Sequence, residues 1–172
     1  MISNIIRGLL YFIVFVAIQV LILNNIYYLR VATPFLYLYF LLKIPVGVPK
    51  STMLFISFVT GLTIDIFSNT PGMHAAACTF VGFFRTGMIR FLIGKELPEG
   101  SFPSYTVFGI GGFLRYTALF VFLHHVVLFL VESLTLFDPL FLVIRILSST
   151  LLSIVLIAIV EAFNMETVKN GE

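Results

Sequence analysis

The chain has 172 residues, of which 60% are hydrophobic, 16% aromatic and 10% charged, and its mean hydropathy is +1.12. Charged side chains make up about a quarter of a typical soluble domain, so this composition excludes a soluble globular fold. The net charge of +2 comes from scattered Lys and Arg, which form no basic patch for a nucleic acid. Because Cys78 is the single cysteine, the chain has neither an internal disulfide nor a thiolate metal site.

Apolar runs of membrane-spanning length follow one another along the chain. A helix needs about 20 residues to cross about 30 Å of hydrocarbon. The runs are apolar on every face, which excludes the alternating strands of a β-barrel. The sequence therefore predicts an all-α polytopic membrane bundle of about six transmembrane helices, in a single domain over residues 1–172. The predicted spans are 5–23, 28–44, 52–67, 73–93, 108–131 and 140–163.

The second of these spans is the shortest. Its apolar run begins at Pro34 and stops at Ile44, before the sequence Pro45-Val46-Gly47-Val48-Pro49. A crossing at this point needs a helical lead-in from residues 25–33, and a re-entrant or interfacial hairpin is the alternative.

Orientation follows from the positive residues in the short loops, which favour the cytoplasmic side. With the N-terminus inside, six positive residues fall on the inner side and only Arg30 on the outer side. This predicts a multi-pass protein of a bacterial inner membrane with both termini in the cytoplasm. The six inner residues are Arg7, Lys43, Lys50, Arg90, Lys95 and Lys169.

Ionisable residues inside a helical span face partners or cavities, because burying an unpaired charge in lipid is costly. Such residues predict an intramembrane polar cluster in the outer third of the bundle. Two interpretations follow: Asp65 pairs with Arg145 and fixes the helix register, or the cluster forms a substrate or proton site. The predicted members are Asp65, His74, His124, His125 and Arg145.

Three further arginines lie near the predicted inner ends of spans: Arg85, Arg90 and Arg115. Long side chains at such positions snorkel to the lipid headgroups. Glu161, at the inner end of the last span, is a candidate partner for one of them.

Small hydroxyl residues line the last span, from Ser148 to Thr150 and again at Ser153. They predict close helix packing with hydrogen bonds across the contact. The catalytic alternative is a membrane hydrolase using Ser149 or a neighbouring residue, with His124 or His125 as the base, but no Gly-x-Ser-x-Gly motif supports it. The two histidines point about 100° apart on a helix, so they predict no metal site, and no cofactor motif is present.

The most informative stretch runs from Gly61 to Ala75, with the sequence Gly-Leu-Thr-Ile-Asp-Ile-Phe-Ser-Asn-Thr-Pro-Gly-Met-His-Ala. It combines a glycine, an aspartate late in one span, a short Pro/Gly turn and a small-residue start to the next span. It resembles the signature of the MreD family of rod shape-determining membrane proteins. The positions carried over are Gly61, Asp65, Pro71 and Gly72.

The resemblance implies a non-enzymatic scaffold subunit of the bacterial cell-elongation machinery. The direct partner would be the single-span protein MreC, and through it MreB, RodA and a class B transpeptidase in peptidoglycan synthesis. The implied fold is similar to the S-components of energy-coupling factor transporters. The alternative is a small-solute-binding transporter component of that type. The aromatic-rich first span is a candidate surface for MreC.

Overall fold

The computed structural model describes residues 2–25, 32–94, 97–133 and 138–170, and within these ranges the chain is helical with no β-strand. Four of its helices are long and apolar enough to cross a membrane, and the first helix adds the shorter apolar stretch Gly8–Leu21. The protein is thus a helical membrane bundle. Its helices are α1 (Ile2–Leu21), α2 (Leu38–Leu42), α3 (Lys50–Ser68), α4 (Met73–Ile93), α5 (Tyr105–Phe108), α6 (Ile110–Glu132) and α7 (Pro139–Asn170).

Five predicted spans correspond to one long helix each. Spans 5–23, 52–67, 73–93, 108–131 and 140–163 lie on α1, α3, α4, α6 and α7, and α7 continues beyond its predicted end to Asn170. The turn from α3 into α4 uses Asn69 and Gly72, both with left-handed backbone, at φ values of 55° and 83°. Left-handed residues commonly end helices, which explains the sharp reversal at this point.

The second predicted span, 28–44, is not a long helix. Residues 28–31 lie outside the described residues, residues 32–37 are non-helical, and helix is confined to Leu38–Leu42. Pro34 provides no backbone N–H, and the N–H groups around it bond to side chains of other helices. The prediction of a helix here was wrong. It was based on a run of apolar residues, and such a run indicates that a segment is buried but not which backbone conformation it has.

This segment, residues 32–42, fills the centre of the bundle and is almost entirely buried. Thr33 N–H donates to Ser149 Oγ at 3.1 Å, and Phe35 N–H donates to Ser153 Oγ at 2.9 Å. Non-helical backbone is tolerated at membrane depth when it is buried in protein and its polar groups are bonded. We call residues 32–42 the buried segment.

The remaining helices surround the buried segment. Helix α3 packs on α4, α4 on α6 and α6 on α7, while α1 contacts α3 and α2. The loops at one end are joined by hydrogen bonds of 2.8 Å from Val46 N–H to Ser101 O and from Gly100 N–H to Val46 O. We call this the Lys43 end, and the opposite end, where α3 turns into α4, the Asp65 end.

Candidate functional site

Asp65 lies in the last turn of α3 with only 3% of its surface exposed. Its Oδ1 accepts hydrogen bonds from His74 N–H and from Thr70 Oγ1, and its Oδ2 accepts one from Ala75 N–H, all at 2.9 Å. The first N–H groups of a helix lack partners within it and carry partial positive charge. The Asp65 carboxylate therefore caps α4 from the neighbouring helix.

Gly61 lies one turn before Asp65, where the backbone of α3 approaches that of α4 closely. A Cβ atom at this position would lie 2.4 Å from His74 O and 2.5 Å from Ala75 Cα, which is closer than real Cβ contacts. Only glycine permits this backbone approach. Of the four residues carried over from the family resemblance, Gly61 and Asp65 fix the α3–α4 contact, and Pro71 and Gly72 form the turn between the helices.

The predicted pair of Asp65 with Arg145 does not form. Arg145 instead makes an ion pair with Glu132, with 2.9 Å between Nη1 and Oε1, and its guanidinium carbon lies 4.4 Å from the centre of the Phe129 ring. The pairing hypothesis was wrong because backbone N–H groups supply the positive partner of Asp65. Sequence alone shows charged side chains and not which amides face them.

The three histidines gather around the buried segment. Tyr37 Oη lies 2.9 Å from His74 Nδ1 and 2.8 Å from His124 Nε2, so one hydroxyl bridges two helices. His125 Nδ1 lies 2.7 Å from Val121 O, and its Nε2 lies 3.5 Å from Ser153 Oγ. Phe35 is in ring contact with all three imidazoles.

The predicted cluster is thus brought together only in part. His74 and His124 share Tyr37, whereas His125 bonds its own helix and α7, and Asp65 interacts with the backbone of His74 rather than its ring. Sequence reasoning missed Tyr37, although a tyrosine inside an apolar run was a usable signal, because a buried hydroxyl needs a partner. In the described ranges, no three His, Cys, Asp or Glu side chains are placed to hold a metal ion.

A cavity of about 320 Å³ lies at the Asp65 end, between α1, the buried segment and the ends of α3, α4, α6 and α7. His74, Glu132 and Arg145 are among its lining residues, together with Asn24 and Thr70. It therefore combines two charged side chains with neutral polar groups in an otherwise apolar bundle. His74 and Arg145 are the two members of the predicted cluster that reach it.

A second polar group lies at the Lys43 end around Glu161, which is 2% exposed. Glu161 accepts hydrogen bonds from Tyr39 Oη at 2.6 Å and from Tyr105 N–H at 3.2 Å, and it makes an ion pair with Lys43 at 3.0 Å. The predicted arginine partner was wrong, because Lys43, the residue directly after the buried segment, lies beside Glu161 on α7. Burial, with the Glu161 charge adding to it, raises the pKa of Tyr105, and the Tyr105 hydroxyl donates to Ala158 O at 3.1 Å.

Arg85 is buried, contrary to the snorkelling prediction. It donates to Ile44 O, to Leu42 O and Pro45 O at 3.4 Å, and through Nε to Tyr116 Oη at 3.0 Å. Leu42 ends α2 and the other two carbonyls follow it, and cations stabilise the C-terminal end of a helix. Arg85 therefore caps the end of the buried segment, whereas Arg90 and Arg115 are exposed and their snorkelling remains a prediction.

Two of the hydroxyl residues of α7 bond to the backbone of the buried segment, whereas the buried hydroxyl of Thr150 has no partner in the described part of the chain. Ser149 and Ser153 accept the N–H groups of Thr33 and Phe35, as the packing prediction required, although the partner is an extended segment and not a helix. Ser148 bonds only to carbonyls of its own helix. The Ser149 hydroxyl is therefore occupied by a structural contact.

No protein-family model, curated protein or solved structure matches this chain. What can be inferred about its function therefore depends on its own residues and their geometry.

Proposed function

We propose that the chain is a non-catalytic scaffold subunit of the bacterial cell-elongation machinery that binds MreC in the membrane. One observation carries the proposal: the Gly61 to Ala75 stretch, which resembles the MreD family, forms a single fixed hairpin. Its aspartate is bound by the backbone N–H groups of His74 and Ala75. Because the residues of this motif hold two helices together, the motif supports a structural role.

The other buried charges support the same role. Arg85 is bonded to backbone carbonyls and to Tyr116, and Glu161 is bonded to Lys43 and two tyrosines. A catalytic acid or base has to reach a substrate. Both charged side chains are hydrogen-bonded inside the bundle, so neither adds a charge to the outer helix faces.

We infer that the chain crosses the membrane six times, with the buried segment as a largely non-helical second crossing. Three contacts follow α7 in order: Thr33 to Ser149, Phe35 to Ser153 and Tyr39 to Glu161. The segment therefore runs in the same direction as α7. Together with the positive loop residues, this supports an inner-membrane protein with both termini in the cytoplasm.

Helix α1 offers the surface proposed for MreC. Its exposed apolar side chains include Ile6, Leu10, Ile13 and Val14, whereas its opposite face buries Gln19 and neighbours against the bundle. A single-span partner would pack along such a face by van der Waals contact.

The proposal is tested by co-purification. The chain is expressed with MreC from the same bacterium and extracted in mild detergent, with an unrelated single-span protein as the control. We expect MreC to be retained and the control to be lost. Recovery of the chain without MreC, while MreC is present in the membrane, would contradict the proposed function.

The contact surface is tested by disulfide crosslinking in a Cys78→Ala background. Leu10→Cys and Val14→Cys are paired with cysteines along the MreC span, and Leu151→Cys on the exposed face of α7 is the matched control. We expect crosslinks from α1 only. Uniform absence of α1 crosslinks, or equal crosslinking from Leu151→Cys, would exclude α1 as the contact.

The second candidate is a solute-binding transporter component, which the cavity at the Asp65 end favours. The two functions predict different companions. A transporter component would co-purify with an ATPase and a coupling subunit and support uptake, whereas the scaffold would co-purify with MreC.

A further inference from the structure

The cavity at the Asp65 end is lined by one negative and one positive side chain that lie next to each other. Glu132 and Arg145 line it and contact each other through one Nη1–Oε1 hydrogen bond, and both side chains remain partly exposed, at 37% and 25%. A guanidinium has five N–H donors and a carboxylate has two acceptor oxygens. Among the residues that the structure describes, further donors of Arg145 and the second oxygen of Glu132 are therefore left for another group.

The wall of the cavity also contains a histidine. His74 lines the cavity and is 5% exposed, and its Nδ1 lies 2.9 Å from Tyr37 Oη. This contact holds the imidazole in place, so the wall presents a fixed polar ring as well as the two charged side chains.

The size of the cavity limits the occupant. A volume of about 320 Å³ corresponds to roughly ten water molecules at about 30 Å³ each. It falls at the lower limit of pockets that bind small organic ligands, about 300–1,000 Å³. A headgroup-sized ligand fits, and a polymer does not.

We propose that this cavity binds a small zwitterionic group, in which a phosphate or carboxylate contacts Arg145 and an ammonium contacts Glu132. The aromatic ring of Phe35 in the cavity wall favours the ammonium as well. Two kinds of molecule contain such a group: a free zwitterionic solute, and phosphatidylethanolamine, which has it as its headgroup. The inference does not depend on whether the chain is a scaffold or a transporter component.

The binding test uses the absence of tryptophan from the chain. Phe67→Trp places a single fluorophore on the cavity wall. The purified full chain is titrated with glycerophosphoethanolamine, with glycerophosphate as the anion alone and with ethanolamine as the cation alone. We expect saturable binding of the zwitterion, with each half binding at least about tenfold more weakly, because each loses a charged hydrogen bond.

Variants identify the contacts. Arg145→Gln and Glu132→Gln should each weaken zwitterion binding about tenfold or more, and Arg145→Lys, which keeps the charge, should weaken it less. Arg115→Gln, near the opposite end of the bundle, is the matched control and should bind as the parent does. Thermal unfolding of each variant confirms that the fold is retained.

Nanodiscs distinguish the two sources. In phosphatidylethanolamine, a lipid headgroup in the cavity competes with the soluble probe and lowers its apparent affinity relative to phosphatidylglycerol. Equal affinity in the two lipids assigns the cavity to a free solute. The proposal is overturned if glycerophosphoethanolamine does not bind, if glycerophosphate binds equally well, or if neither charge variant weakens binding.

Discussion

Asp65 illustrates how a carboxylate is kept inside a membrane bundle without a cationic side chain. Two backbone N–H groups and one hydroxyl bond to its oxygens, and all three belong to the turn or to the start of α4. Hydrogen bonds to charged groups are stronger than neutral ones, and the helix N-terminus adds a favourable field. The Asp65 carboxylate thereby links α3 to α4.

Replacing Asp65 with Ala should destabilise the protein by about 2–4 kcal/mol, because it leaves two buried N–H groups without an acceptor. Asp65→Asn, which keeps one acceptor oxygen, should cost less. Asp138→Ala is the matched control: Asp138 caps α7 through Leu140 and Phe141 N–H at 3.1 Å but is exposed. Its loss should cost about 1 kcal/mol. The measurement is unfolding in detergent, and equal losses for Asp65→Ala and Asp138→Ala would contradict this assignment.

Gly61→Ala should destabilise the α3–α4 hairpin by about 1–3 kcal/mol, since the added methyl group has no room. Gly87→Ala on α4 is the control, because a Cβ there meets nothing within 4 Å. An alanine inside a helix is otherwise favourable, so this control should be neutral or slightly stabilising. A neutral Gly61→Ala would show that the helices can separate at little cost.

At the scale of elements, the buried segment depends on side chains that replace helical hydrogen bonds. Gln19 of α1 accepts from Leu36 N–H at 2.8 Å and donates to Pro34 O at 3.0 Å, while the α7 serines bond the neighbouring N–H groups. Buried backbone groups must be paired. Helices α1 and α7 therefore determine the conformation of the buried segment.

Gln19→Leu should destabilise the protein by about 2–4 kcal/mol, because it leaves one buried backbone donor and one acceptor unpaired. Thr63→Val is the matched control, since Thr63 bonds only to Val59 O of its own helix. Its effect should stay within about 0.5 kcal/mol. Thermal unfolding and protease resistance in detergent are the readouts. A Gln19→Leu protein as stable as the parent would mean that water replaces the amide.

At the scale of the whole molecule, buried and partly buried charged side chains gather at the two ends of the bundle. The Lys43 end holds Glu161 and Arg85, each bonded to the buried segment or its continuation, and the Asp65 end holds the cavity with Glu132 and Arg145. In the proposed orientation, which is based on the positive loop residues, the Lys43 end faces the cytoplasm.

This orientation predicts different labelling of two exposed loop positions in the Cys78→Ala background. Pro71→Cys at the Asp65 end should react with a membrane-impermeant maleimide in intact spheroplasts. Glu99→Cys at the Lys43 end should react only after permeabilisation. Labelling in the reverse order would invert the orientation, and labelling of both in intact spheroplasts would show an even number of crossings between them, which contradicts a crossing by α4.

The membrane class, the positions of five helices and the α3–α4 turn could be predicted from the sequence. Each depends on local information: runs of apolar residues, and Asn, Pro and Gly at Asn69, Pro71 and Gly72 where the chain reverses. The residues of the candidate site could be found in part for the same reason, because Asp65, His74 and Arg145 are conspicuous as polar residues inside apolar runs.

Only the tertiary structure decided which partner each polar group takes. Asp65 bonds to backbone and not to Arg145, Arg85 turns inward to the carbonyls that follow α2, and Glu161 pairs with Lys43. The non-helical backbone of residues 32–37 was likewise decided only by the tertiary structure. In lipid, buried backbone groups must be paired within the protein, and which groups meet depends on how distant helices pack, information that no local stretch of sequence contains.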